Sequence, residues 1–153
     1  MRLPGPLADA LRIGAVGDTV VYLTTASSDG RPNVAVQPFT DVAGDGIVLM
    51  PDLFAQKTKV NLNENLRAAL TVALPGGLEA WVVEGPCNVF QWGHPEGWRF
   101  AGLRAGEVLA RWGDWASLEP MGDLPEEVRP TVLAQRGVIA LEVETVRRVG
   151  EGP

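Results

Sequence analysis

Apolar residues along this chain fall mostly in short stretches with a period of two, the alternation of a half-buried strand. Thr19 to Thr25 is rich in β-branched residues around Tyr22 and predicts a strand. Asp29-Gly30 signals a turn into Asn33 to Thr40, where Val34, Val36, Pro38 and Thr40 alternate with Asn33, Ala35, Gln37 and Phe39. Pro38 has no N–H for a ladder, so this strand is expected to end, bulge or lie on an edge there. Gly44-Asp45-Gly46 turns the chain into Ile47 to Met50, Arg67 to Leu74 predicts a further strand, and Pro75-Gly76-Gly77 leads to Ala80 to Gln91, interrupted at Gly85-Pro86 by a bulge or bend. The last strand, Val138 to Arg148, sets Ile139, Leu141 and Val143 on one face and Glu142 and Glu144 on the other.

A period near 3.6 occurs in four places. Leu7, Leu11 and Ile13 after Pro6 predict a short helix ending near Gly14 to Gly17. Phe54, Thr58, Leu62 and Leu66 form an inward stripe that leaves Lys59, Asn63 and Glu64 to solvent. Trp98, Ala101, Ala105, Val108 and Trp112 form another within Glu96 to Trp112, weakened by Gly97, Gly102 and Gly106. A second short helix is expected after Asp123, with Pro125 in its first turn and Gly137 as its stop. The fold class is mainly β with a few short helices, and short strands at this spacing favour a barrel over a parallel sheet. The 18 glycines and 12 prolines suit such turns.

Composition narrows the function. The 153 residues predict one domain over 1–153, and a net charge of −6 argues against a nucleic-acid partner. The single cysteine, Cys87, has no internal disulfide partner, and no apolar run is long enough to span a bilayer. Pro4, Gly5, Pro6 and Asp9 break up any secretory segment, so a cytoplasmic location without membrane contact is expected.

The stretch Leu49 to Leu62 carries the most suggestive chemistry. An apolar run ends there and a helix opens with Lys57 and Thr58. Unpaired N–H groups and the helix dipole favour an anion at such a start, with Lys57 adding a charge and Thr58 a neutral donor. From these residues alone, an ordinary amphipathic helix with a solvated lysine is the simpler reading.

Gly30-Arg-Pro-Asn-Val-Ala-Val-Gln-Pro38, the hairpin to Leu49-Met-Pro51, Lys57-Thr58, Asn61-Leu62 and Arg67-Ala-Ala-Leu70 together resemble the flavin-binding split barrel of the pyridoxamine 5'-phosphate oxidase-like superfamily. The resemblance runs from Thr19 to Gln91, with the final strand also in place. It implies a split β-barrel of Greek-key type with about six strands, and FMN held between the subunits of a homodimer. Lys57 and Thr58 would meet the phosphate, Val36, Gln37 and Pro38 would lie beside the flavin, and the backbone of Met50, Pro51 and Asp52 would lie near its ring edge. Leu66 stands where many relatives have proline, and Arg147-Arg148-Val149-Gly150 does not reproduce the ending of true pyridoxamine phosphate oxidases, so vitamin B6 oxidation is not implied.

The expected activity is therefore an FMN-dependent oxidoreductase acting through flavin N5 on a small redox substrate, with no catalytic side chain assigned. The alternatives are a flavin-binding electron-transfer or storage protein, a split barrel using deazaflavin or haem, and a dimeric interaction protein without cofactor. His94, the only histidine, sits in a Gly-His-Pro turn without a visible partner carboxylate, and one His with one Cys makes no metal set. Trp81, Trp92, Trp98, Trp112 and Trp115 read mainly as core, with flavin stacking or a dimer interface as the other roles. With four phenylalanines they exceed what a small barrel need enclose, a second reason to expect a homodimer.

Overall fold

The computed structural model of the chain describes residues 1–12, 19–37, 40–52, 56–76, 79–91, 99–100, 103–104 and 137–150. Helix α1 (Gly5–Leu11) buries Leu7 and Leu11 at a four-residue spacing and ends earlier than the glycines suggest. Strands β1 (Val20–Ala26), β2 (Pro32–Gln37), β3 (Asp41–Ala43) and β4 (Ile47–Pro51) precede helix α2 (Gln56–Glu64). After it come β5 (Arg67–Ala73), β6 (Ala80–Gln91), the short pair β7 (Arg99–Phe100) and β8 (Leu103–Arg104), then β9 (Gly137–Glu142) and β10 (Thr145–Arg148).

The main sheet has eight strands in the order β2-β1-β5-β6-β9-β4-β3, with β10 on β6. All its pairings are antiparallel. The twelve-residue β6 joins the two halves: residues 81–84 lie between β5 and β10, and residues 87–91 pair with β9. This is the split barrel expected, with more strands than six because the C-terminal strand breaks into β9 and β10 and β3 is a separate three-residue piece.

The break corrects the reading of Gly85-Pro86. Strand β6 runs unbroken through both, and the irregularity lies on its neighbour, where Leu141 opposes Cys87 and Thr145 opposes Glu84, four steps against three. Glu144 N–H donates to Glu84 O at 2.9 Å and Val143 N–H to Gly46 O at 2.8 Å, so the extra residue costs neither backbone group its partner.

Leu23, Leu70, Val83 and Val146 stand in register across β1, β5, β6 and β10, the first three fully buried. Met50, Ile139 and Leu141 extend the core beneath β4 and β9. Each such side chain contributes roughly 1.5–3 kcal/mol by leaving water. Trp81 is half-buried against this core, while the other four tryptophans and His94 lie outside the described residues, as do Ile13 to Gly17 and the helix after Asp123. Within the predicted helix Glu96 to Trp112, β7 and β8 pair Arg99 with Arg104 and Phe100 with Leu103. Glycine at 97, 102 and 106 costs a helix about 1 kcal/mol each relative to alanine, which offsets the stripe's advantage. Gly137 opens β9, and the helix expected before it lies outside the described residues.

Candidate functional site

Helix α2 lies over the β1–β2 hairpin and is fixed to it largely by polar contacts. Thr25 and Asn33 are directly paired across the two strands. Asn33 Nδ2 donates to Thr58 Oγ1 at 3.2 Å, and Asn61 Nδ2 donates to Thr25 Oγ1 at 3.1 Å. At the other end of the helix, Ser28 N–H donates to Glu64 Oε2 at 2.9 Å. Thr58, Asn61 and Leu62 are buried, so Leu62 is the only large apolar anchor among the helix side chains described. Leu66 is exposed, because α2 ends at Glu64 and the stripe does not continue beyond it.

The β1–β2 turn that receives α2 is itself organised by side chains. Asp29 accepts from Ser27 Oγ and pairs with Arg31 Nε at 3.2 Å, while Gly30 takes φ 85°, a conformation that L side chains rarely adopt. The Ser27 hydroxyl is the main cause holding the Asp29 carboxyl below its ordinary range, and Lys57 adds a weaker attraction. Lys57 is exposed at the start of α2, and no acidic residue belongs to that first turn.

The proposed cofactor residues separate into distinct environments. Val36 is exposed on β2, directly opposite Tyr22, with Val34 and Val20 exposed on the same face. Gln37 is buried, and its Oε1 meets no donor. Met50 and Pro51 are buried opposite Ile139 and Val138, so their side chains belong to the core and only their backbone is left for a ligand. Pro38 lies outside the described residues. Thr58 is buried with its hydroxyl already accepting from Asn33.

Lys59 and Asn33, to which sequence reasoning gave no role at the site, complete the region with Asp52. Lys59, assigned to solvent above, is mostly buried: its Nζ lies 3.3 Å from Oδ2 of Asp52, which is only 2% exposed. Asp52 Oδ1 has no donor among the described residues. Asn33 was legible as a polar residue of an alternating strand, but neither its inward direction nor its helix partner was. Burial pushes the Asp52 carboxyl up from its ordinary range, and Lys59 only partly opposes this. A carboxyl raised in the folded state binds its proton more tightly there than in the unfolded chain. It therefore costs stability as pH rises from the unfolded value near 3.8 through the folded one. Asp52→Asn should remove that cost, so its melting temperature should gain on the wild type across this window and hold the gain at neutral pH. Paired thermal melts from pH 3 to pH 7 check the sign.

Burial also pushes the Cys87 thiol up, which leaves it inert as a thiolate. Among the described residues no group of three or more His, Cys, Asp or Glu could hold a metal ion, and no helix is long and apolar enough to cross a membrane.

The residues around α2 fit a phosphate-bearing flavin: an exposed cation stands at a helix start without an acid of its own, near an edge strand with an exposed apolar face. The unmatched oxygens of Gln37 and Asp52 are buried acceptors that meet no donor among the described residues.

Comparison with known proteins agrees with the fold. An uncharacterized protein of Methanocaldococcus jannaschii, MJ0282, is 43% identical over 63 residues, which cover 40% of this chain and 42% of that one, so the match spans less than half of the relative's length. A putative pyridoxamine 5'-phosphate oxidase from Lactobacillus delbrueckii superposes with a TM-score of 0.62 at 18% identity, covering 95% of this chain and 93% of the other. An F420 reductase gives 0.59 at 16% identity, covering 95% and 98%, and HutZ, the haem storage protein from Vibrio cholerae, gives 0.55 at 15%, covering 96% and 94%. Identities this low establish a common fold and no more. The sequence profile of pyridoxamine 5'-phosphate oxidase matches residues 9–150, nearly the whole chain, and the chain belongs to that family.

Proposed function

We propose that this chain is an FMN-binding oxidoreductase that acts as a homodimer on a small redox substrate. The observation that carries the reading is the junction of β2 with α2, where the Asn33–Thr58 bond holds the helix start, and the exposed Lys57 with it, beside the terminal strand of the sheet. Lys57 and the first N–H groups of α2 bind the phosphate. Val36 and its neighbours cover one face of the flavin, and the outer edge of β2 and the backbone at Met50 to Asp52 are available to its polar atoms. Bound FMN supplies hydride chemistry at N5, and the protein contributes position, exclusion of water and the electrostatics of the phosphate seat.

Dimerisation has its own support. Val20, Tyr22, Val34 and Val36 place four large apolar side chains on one exposed face of a two-stranded edge. Such a face is unusual on a monomer, and a twofold-related copy covers it economically.

Lys57→Ala removes a charge-assisted contact of about 1.5–3 kcal/mol, so FMN affinity should fall roughly ten- to hundredfold while riboflavin, which lacks the phosphate, binds as before. Fluorescence titration with both ligands reads the result, and equal FMN affinity in the two proteins would remove the phosphate seat. The absorption spectrum of purified protein separates FMN from deazaflavin or haem, and steady oxidation of reduced nicotinamide separates an enzyme from a storage protein. Light scattering should give twice the chain mass of 16.4 kDa. A monomer with full FMN affinity would leave the site to one subunit.

A further inference from the structure

We infer that Asp52 sets how tightly a phosphate-bearing ligand binds at the first turn of α2, because its carboxylate stands as an internal anion competing with the phosphate for Lys59 and for the positive end of the helix. This rests on the phosphate seat proposed above.

Lys59 is the fourth residue of α2, which begins at Gln56. Helical side chains lean toward the N-terminus, so its ammonium lies over the first turn. Asp52 Oδ2 lies 3.3 Å from that ammonium, which brings a negative charge to a helix start that has none of its own. The second carboxylate oxygen, Oδ1, is buried without a donor. A half-matched buried carboxylate is a cost that stability alone does not explain, since a neutral side chain of the same shape would avoid the desolvation. The other two unmatched buried acceptors, Gln37 Oε1 and Asn61 Oδ1, are neutral amides and carry no such charge. With Asp52 ionised, Lys57, Lys59 and Asp52 present a net charge of about +1 to a phosphate; without it they present about +2.

Asp52→Asn keeps the shape of the side chain and frees Lys59. FMN affinity should rise about tenfold, whereas riboflavin affinity should stay as it was. The paired variant Asp52→Asn with Lys59→Gln removes both charges and should return FMN affinity to near the wild-type value, an outcome that general loosening of the site does not produce. Asp52→Ser, which vacates the carboxyl, should agree in sign with Asp52→Asn, and melting curves establish that each variant is folded. Equal changes for FMN and riboflavin, or an FMN affinity that fails to rise in Asp52→Asn, overturn the inference. If Lys57→Ala still loses FMN selectively in that case, the phosphate seat survives and only the role of Asp52 falls; if Lys57→Ala is also silent, both fall together.

Discussion

Replacing Gly85 with alanine is expected to cost this protein more stability than any other single methyl group added to its described strands. A Cβ at that position would lie 1.8 Å from Glu142 O, 3.0 Å from Glu142 C and 3.1 Å from Glu144 N. All three are backbone atoms, so no side chain can swing aside. The neighbours are the residues where β9 gives way to β10, and β6 reaches Gly85 while paired with Ala68 of β5 on its other edge. To admit the methyl group, β6 must part from β9 and β10 or from β5, and either movement breaks ladder bonds on both sides of the split. The loss should exceed about 4 kcal/mol, in the range reserved for strained backbone and overpacked cores. At roughly 2–4 °C per kcal/mol for a chain of this size, the melting temperature should drop by about 10 °C or more, or the protein should fail to accumulate folded. Gly76→Ala, at a turn glycine with φ 98° and nothing within 4 Å of its Cβ, should cost only the local strain of an L residue, about 1 kcal/mol. A thermal melt in which the two variants cannot be told apart would mean that the approach at Gly85 relaxes freely.

The strand framework was legible because its signal is local. Alternation over Arg67 to Leu74 and over Ala80 to Gln91 returns as β5 and β6 almost residue for residue, and Asp29-Gly30 and Gly44-Asp45-Gly46 turn the chain where turn chemistry requires. Which face of a strand points inward is a non-local matter. On β2 the polar Asn33 and Gln37 face in and the valines Val34 and Val36 face out, the reverse of the ordinary rule; α2 supplies a polar partner inside for Asn33, whereas Gln37 Oε1 meets no donor among the described residues. The break between β9 and β10 was illegible for a similar reason. Val138 to Arg148 reads as one strand, and the extra residue shows only in the register of its two pieces along β6.

At the candidate site, the position of Lys57 was legible. A lysine at a helix start is a sequence pattern with a physical cause, and Lys57 stands exposed there. The Asp52–Lys59 pair was not legible, since helical periodicity gives the direction of Lys59 but not the buried carboxylate that meets it from the end of β4. A spacing of seven residues across a strand-to-helix junction carries no recognisable signature.

Leu62→Ala should separate the role of α2 in stability from its role at the site. Leu62 is 1% exposed and is the helix's one large apolar anchor among the side chains described. Truncation of a buried leucine costs about 2.7–5 kcal/mol, depending on how far the cavity collapses. Here the polar bonds from Asn33 and Asn61 remain, and each contributes about 1 kcal/mol, too little to hold a nine-residue helix on the sheet without its apolar contact. The melting temperature should therefore fall by about 5–15 °C, and FMN affinity should fall with it, because Lys57 and the first N–H groups of α2 lose their fixed place beside β2. Leu70→Ala is the matched control: Leu70 is fully buried between Leu23 and Val83 in the middle of the sheet, so a comparable stability loss there should leave FMN affinity nearly unchanged at temperatures where both variants are folded. Titrating both variants well below their melting points makes the comparison. If Leu70→Ala weakens FMN as much as Leu62→Ala does, affinity follows global stability, and the first turn of α2 has no particular claim on the phosphate.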